Sequence, residues 1–426
     1  MMSRDRTIHG GARQGGSWQG GSWQRGSWQR GDRRAPKSGR TCARLLAAFT
    51  ATAAALGVAA TAATAAGGRT LYVSPRGAAR SACTRSAPCR SIDRAIALAG
   101  TGGTVRVQRG TYRQEVQIAR EVSVIGVGHP VIDATGRPNG VLIEGPGAAG
   151  AVVQGLTVEH ATFEGILAER TTGVTIADNV VVDNDRGGLA AHPRGECAPQ
   201  GQIPGDCGEG LHLMSVTRSQ VIGNTVRGNA GGILMTDELG PTALNLIARN
   251  RSLDNVLDCG ITLASHNPHA ISATGAPQPA MGGIYENLIT GNTVDANGTK
   301  GAGAGILLAA PAPGMGTYDN VVAANTADGN GQAGITLHSH APGQDLDGNV
   351  IVDNTLSNDG LTGDPDFGVT STVGILVASA VTPLSGIEIA GNTISDTHYG
   401  IWTKGVSTIA PSANTFNGVT VDLTQS

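Results

Sequence analysis

From residue 140 onward, short aliphatic runs alternate with breaks that carry Gly or Asn. Val174-Thr175-Ile176, Val180-Val181-Val182 and Val350-Ile351-Val352 each follow a Gly or an Asn and are rich in β-branched residues, which predicts strands of about three residues. Helical spacing is absent from them. A Gly followed by an aliphatic residue recurs at Gly140, Gly165, Gly188, Gly210, Gly232, Gly260, Gly305, Gly334, Gly374 and Gly400, in steps of 25, 23, 22, 22, 28, 45, 29, 40 and 26 residues. A base period near 22 with insertions describes a solenoid.

A second pattern runs in phase with the first. Asn recurs at five-residue spacing in Asn179/Asn184, Asn224/Asn229, Asn245/Asn250/Asn255, Asn287/Asn292/Asn297 and Asn320/Asn325/Asn330. Asn suits a turn that must repeat, because it tolerates the left-handed conformation and its amide can bond both its own backbone and the Asn one rung on. The expectation is an all-β column of stacked parallel strands with an aliphatic interior. It has ten rungs or more, and at about 4.8 Å per rung it is roughly 48 Å long.

The N-terminal part differs. Arg40 and Arg44, an apolar stretch from Leu45 to about Ala60 and the A-x-A-like Ala63-Thr64-Ala65 read as a secretory signal peptide, behind a low-complexity tract holding Trp18, Trp23 and Trp28. The expected organisation is a leader over 1–66, a cap with the first rungs over 67–139, and the repeats over 140–426. Within the cap, Ile92, Ala95, Ile96 and Ala99 share one helical face, as a helix closing the open end of a coil would require.

Leu71-Tyr72-Val73-Ser74-Pro75, the helical piece just named, Gly103-Thr104-Val105-Arg106-Val107 and Gly110-Thr111-Tyr112, together with the repeats, resemble the right-handed parallel β-helix of the pectate-lyase-like superfamily over about residues 69–426. Handedness follows from this resemblance and from the rule for parallel crossovers. Proteins of this superfamily commonly act on polysaccharides as lyases, hydrolases or C5-epimerases, binding the chain along an outer groove. Their specific signatures are missing here: there is no Asp-Asp pair with Gly-His-Gly and no Asp-Pro-His, and Asn267-Pro268-His269 is only a distant echo.

Composition narrows the picture. With 64 Gly, 40% hydrophobic residues and no period of three, the chain can bury a large core and is neither collagen-like nor disordered. No apolar run after the leader reaches the roughly 18 residues of a membrane helix, so no membrane span is expected. Residues 1–66 hold ten Lys or Arg and two Asp or Glu, which leaves 20 basic and 31 acidic residues in the remainder. That imbalance argues against nucleic acid as a partner, whereas an acidic sugar chain would need local Arg, Lys or a divalent cation. A monomer is expected. Export also favours two local disulfides, Cys83 to Cys89 and Cys197 to Cys207, with Cys259 left over as a buried core thiol.

Candidate chemistry lies on one face. Counting each repeat Gly as zero, the residue at +1 points inward, so +2 and +4 point outward. The outward rows hold His192, His212, His338, Trp402 and Lys404, and Asp237, Glu238, His266 and His340 follow just past the strands. Insertions at 193–208, 267–283, 309–317 and 341–348 are placed to wall a groove.

Asp237, Glu238, His266 and His338 are the catalytic candidates, and His192, Arg194, His212, His340, Trp402 and Lys404 the substrate-binding ones. His338-Ser339-His340 could chelate a metal. Asp345, Asp347, Asp364 and Asp366 are open to two readings, calcium ligands or turn formers.

Three functions fit. The first is an extracellular polysaccharide lyase, epimerase or hydrolase. In the lyase, His266 or His338 removes the proton α to a uronate carboxylate, and Arg194, His192 or a cation such as calcium neutralises that group. The second is a glycan- or cell-surface-binding β-helix without turnover, using Tyr399, Trp402 and Lys404. The third is metal handling, similar to the periplasmic copper-binding β-helix family.

Overall fold

In the computed structural model, residues 68–184, 209–406, 409 and 411–425 are described. All belong to the unit Thr64–Ser426. The stretch expected to be a signal peptide, His192, Arg194, Cys197 and Cys207 lie outside the described residues.

Each turn of the chain gives one short strand to each of three eleven-stranded sheets, and every pairing within them is parallel. The first sheet runs from Thr70–Ala78 to Glu388–Ala390, the second from Val116–Ile118 to Val421–Gln425, and the third from Thr111–Tyr112 to Thr415–Asn417. The fold is a right-handed parallel β-helix. Strands as short as three residues suffice because all but the terminal ones are paired on both edges, and an aliphatic column from Leu71 to Ile401 fills the interior. The helix Ile92–Ala99 buries Ile92, Ala95, Ile96 and Ala99 as its spacing predicts, and the Ser91 side chain caps it by accepting from Arg94 N.

Asn side chains form continuous ladders inside the corners. Asn179 Nδ2 donates to Asn224 Oδ1 at 3.0 Å, and the run continues through Asn250, Asn292, Asn325, Asn354, Asn392 and Asn414. Each of these amides before the terminal Asn414 is held by the next rung and by a backbone carbonyl, so the buried polar groups are satisfied. One detail departs from the sequence expectation. The left-handed residue is not the Asn but the one before it: Asp178, Asp183, Arg249, Asp254, Ala324 and Asp353 all have φ near 55°. The Asn stays out of that region and turns its amide inward. At Gly165 the reason for glycine is space, since a Cβ there would overlap Val181 Cγ1, the Gly210 carbonyl and Asn184 Nδ2.

A second correction concerns the rungs. The strand Ile166–Glu169 pairs directly with Glu209–Met214, with Ile166 opposite Leu211, so no strand starting at Gly188 can lie between them. Two steps near the base period thus separate neighbouring rungs of this sheet.

Candidate functional site

The outer face of the second sheet is not the open groove that strand alternation predicts. His212, Thr236, Thr336 and Leu376 do point away from the core, yet all four are fully buried. The segment around Phe367 and Val369 packs on Leu376, Ala378 and Trp402 as a second apolar cluster. Trp402, expected to be a stacking platform, is thus only 9% exposed, while Lys404 at the strand end remains exposed.

A hydrogen-bonded run of mostly buried side chains crosses several rungs. Glu164 Oε1 lies 3.2 Å from His212 Nδ1, and His212 Nε2 lies 2.8 Å from Thr236 Oγ1. Two residues on, Glu238 Oε1 lies 2.9 Å from His266 Nδ1. Burial would push the Glu238 carboxyl up, but the hydrogen bond and charge of His266, then the His212 charge and the Thr236 hydroxyl, outweigh it and hold the group at about 2. Glu164, His212, Thr236 and His266 are buried, and of this run only Glu238 is partly exposed.

Asp237 was expected at the surface as an acid or base, and it is completely buried. Its carboxylate accepts from Ser265 Oγ at 3.0 Å, His266 N at 2.6 Å and Asn267 N at 3.1 Å, and also from Gly283 N. It thereby fastens both ends of the 267–283 insertion to the rung below. Burial pushes it up to about 6, with the Gly283 and His266 backbone bonds acting against that. His266, likewise expected on the surface, is 8% exposed because this fastened insertion carries it inward.

A second cluster sits two rungs along. His338 Nε2 lies 2.8 Å from Asp364 Oδ2, and His340 and Phe367 make ring contacts with His338 at 5.2 and 4.9 Å. His338, His340 and Asp366 each offer one ligand atom, all within 4.8 Å of one another. Burial and the neighbouring His338 push His340 down, toward the neutral imidazole.

The acids weighed for calcium mostly form turns. Asp345 Oδ1 accepts from Asp347 N, and Asp347 accepts from Ser385 N and Oγ. Burial pushes Asp345 up to about 6. The Cys83–Cys89 disulfide is present, and Cys259 is a buried free thiol whose Sγ accepts from Ala304 N. Sequence reading missed Glu164, although an acid immediately before a repeat Gly was its signal. It also missed the insertion that carries Asp364 and Phe367, because the 40-residue step from Gly334 to Gly374 hides it behind the 341–348 loop. No helix among the described residues is long and apolar enough to cross a membrane.

Two family models match. The right handed beta helix region matches residues 139–309, and the periplasmic copper-binding protein (NosD) family matches residues 253–426. No curated protein matches the chain by sequence. Among solved structures, the A-module of a mannuronan C-5 epimerase from Azotobacter vinelandii is 16% identical, with 78% of this chain and 91% of that one covered and a TM-score of 0.46. The Dettilon tailspike protein is 15% identical, covering 82% and 68%, with a TM-score of 0.49. An alginate lyase from Paenibacillus sp. is 13% identical, covering 84% and 98%, with a TM-score of 0.43. With every described sheet strand of the coil parallel and a beta-helix model matching residues 139–309, the chain is a right-handed parallel β-helix.

Proposed function

We propose that this is a secreted, polysaccharide-active β-helix whose chemistry is carried by the Glu238–His266 pair, acting as a lyase on an acidic sugar chain. The observation that carries the reading is the 2.9 Å contact between Glu238 Oε1 and His266 Nδ1, with Glu238 held ionised. A carboxylate on one ring nitrogen fixes the tautomer and makes the other nitrogen the basic one. In the proposed step that nitrogen takes the proton α to a uronate carboxylate, the electron pair forms the C4–C5 double bond, and the glycosidic oxygen at C4 leaves. The hydrolase version is disfavoured, because Asp237 is committed to four donors and cannot serve as the second carboxylate.

The burial of His212 and Trp402 favours a second reading, a glycan-binding β-helix without turnover. Incubation with a panel of uronate-containing and neutral polysaccharides separates the two. A lyase releases unsaturated sugars that absorb in the near ultraviolet. Reducing ends without that absorbance mean hydrolysis, and retention on an insoluble glycan with neither signal means binding alone.

A further inference from the structure

We propose that the cavity beside the turn 237–241, lined by Arg170, Ser215, Thr217 and Leu239, binds one neutral sugar unit of a glycan. It is separate from the Glu238–His266 pair, neither of which lines it, and binding there requires no turnover.

Three features carry the inference. The first is shape. Where the chain leaves the second sheet, 170–174 and 215–219 make short turns, and 237–245 makes a longer one beside them. Ser215 Oγ ties that longer turn down by accepting from Leu239 N at 2.9 Å. The cavity they leave is about 310 Å³, at the lower end of small-molecule sites. Pro146 and Pro241 both line it and lie three rung steps apart, about 14 Å along the coil.

The second feature is a mixture of donors and acceptors. Because Ser215 Oγ accepts from Leu239 N, its O–H is left to donate, whereas the Thr217 hydroxyl donates to Thr172 Oγ1 at 3.0 Å and keeps its lone pairs to accept. Thr171, also in the lining, is 5% exposed, and its buried Oγ1 has no hydrogen-bond partner among the described residues. Folded proteins rarely leave such a group orphaned. A sugar hydroxyl, donor and acceptor at once, answers each of these groups. A carboxylate or phosphate oxygen only accepts, and it would meet the lone pairs of Thr217.

The third is charge and apolar surface. Arg170 is the one charged residue in the lining, and Glu169 Oε1 lies 2.8 Å from its guanidinium, so no uncompensated charge selects an anion. Leu239 is 56% exposed, more than any other large apolar side chain among the described residues. With Pro146 and Pro241 it offers the apolar contact that the C–H face of a pyranose ring takes.

The test uses the full chain, titrated by calorimetry with cellotriose, maltotriose, mannotriose and xylotriose, and with trigalacturonate as the acidic counterpart. The expected result is one site per chain for at least one neutral trisaccharide. Thr217→Val, at a half-buried position, and Leu239→Ala, at an exposed one, should each weaken that binding by at least about tenfold. Trigalacturonate, the ligand of a lyase site, should bind wild type and both variants alike. Circular dichroism checks that each variant is folded, and if one is not, the other decides alone. No binding of any neutral trisaccharide, neutral binding unchanged in either folded variant, or trigalacturonate binding weakened by both, overturns the proposal.

Discussion

Asn330 donates both its backbone N–H and its Nδ2–H to Oδ1 of Asp359, at 3.0 and 2.8 Å, so the ladder begun at Asn184 ends on an acid where every earlier rung has an amide. In this ladder each Nδ2 also donates to the carbonyl three residues before the preceding Asn, as Asn330 does to Val294 and Asn297 to Ser252. The matching atom of Asp359 is Oδ2, which is buried and has no hydrogen-bond partner. Desolvation pushes this acid up to about 8, from 3.8 unfolded.

Asp359→Asn should therefore stabilise the fold. A raised folded value means that the acid's contribution is fully present below about 4 and is lost as pH rises through 8. The expected gain is roughly 1–3 kcal/mol at pH 8, the cost of one unsatisfied buried group, and clearly less at pH 5. Thermal melts of both proteins at the two pH values check this.

Asp237→Ala should cost roughly 3 kcal/mol or more, because it orphans several buried donors at once. A surface acid would have been nearly neutral to remove. Urea denaturation of the variant measures the difference, and hydrogen exchange should show faster opening of 267–283 than of the core strands.

Glu238 predicts an acid limb of the opposite sign. Its folded value, about 2, lies below the ordinary 4.5, so its contribution is present above about 4.5 and is lost as pH falls toward 2. Glu238→Gln should flatten the loss of melting temperature between pH 5 and 3, and the comparison with wild type isolates it from Asp237 and Asp345, which titrate the other way.

The ladders predict a positional gradient. Asn292 bonds Asn325, the Ile247 carbonyl and both amides of Asn250, whereas Asn414 closes the end of the same ladder and is only half-buried. Asn292→Ala should cost roughly 2–4 kcal/mol and Asn414→Ala less than half of that, measured by denaturant midpoint.

The repeat, the capping helix and the Asn ladders were legible because each is a local rule repeated: an aliphatic step, a helical face of four residues, an amide that finds its copy one rung on. What stayed hidden depends on insertions. Gly188 mimics the repeat, but only the direct pairing of Ile166–Glu169 with Glu209–Met214 reveals that these two strands are neighbours. Outward direction was read correctly for His212, His338 and Trp402, yet exposure was not, since strand alternation carries no information about a distant segment such as Phe367 folding back over the face. The pairing of Glu238 with His266 was within reach of rung arithmetic. That of His338 with Asp364 spans an insertion and was not.

The most direct test of the proposed function is turnover of an acidic polysaccharide by wild type and Glu238→Gln, followed by near-ultraviolet absorbance and reducing ends together. The account predicts that wild type releases both signals in step and that Glu238→Gln, still folded at neutral pH, loses about 100-fold in rate. Equal rates in the two proteins, or reducing ends without absorbance, would contradict it.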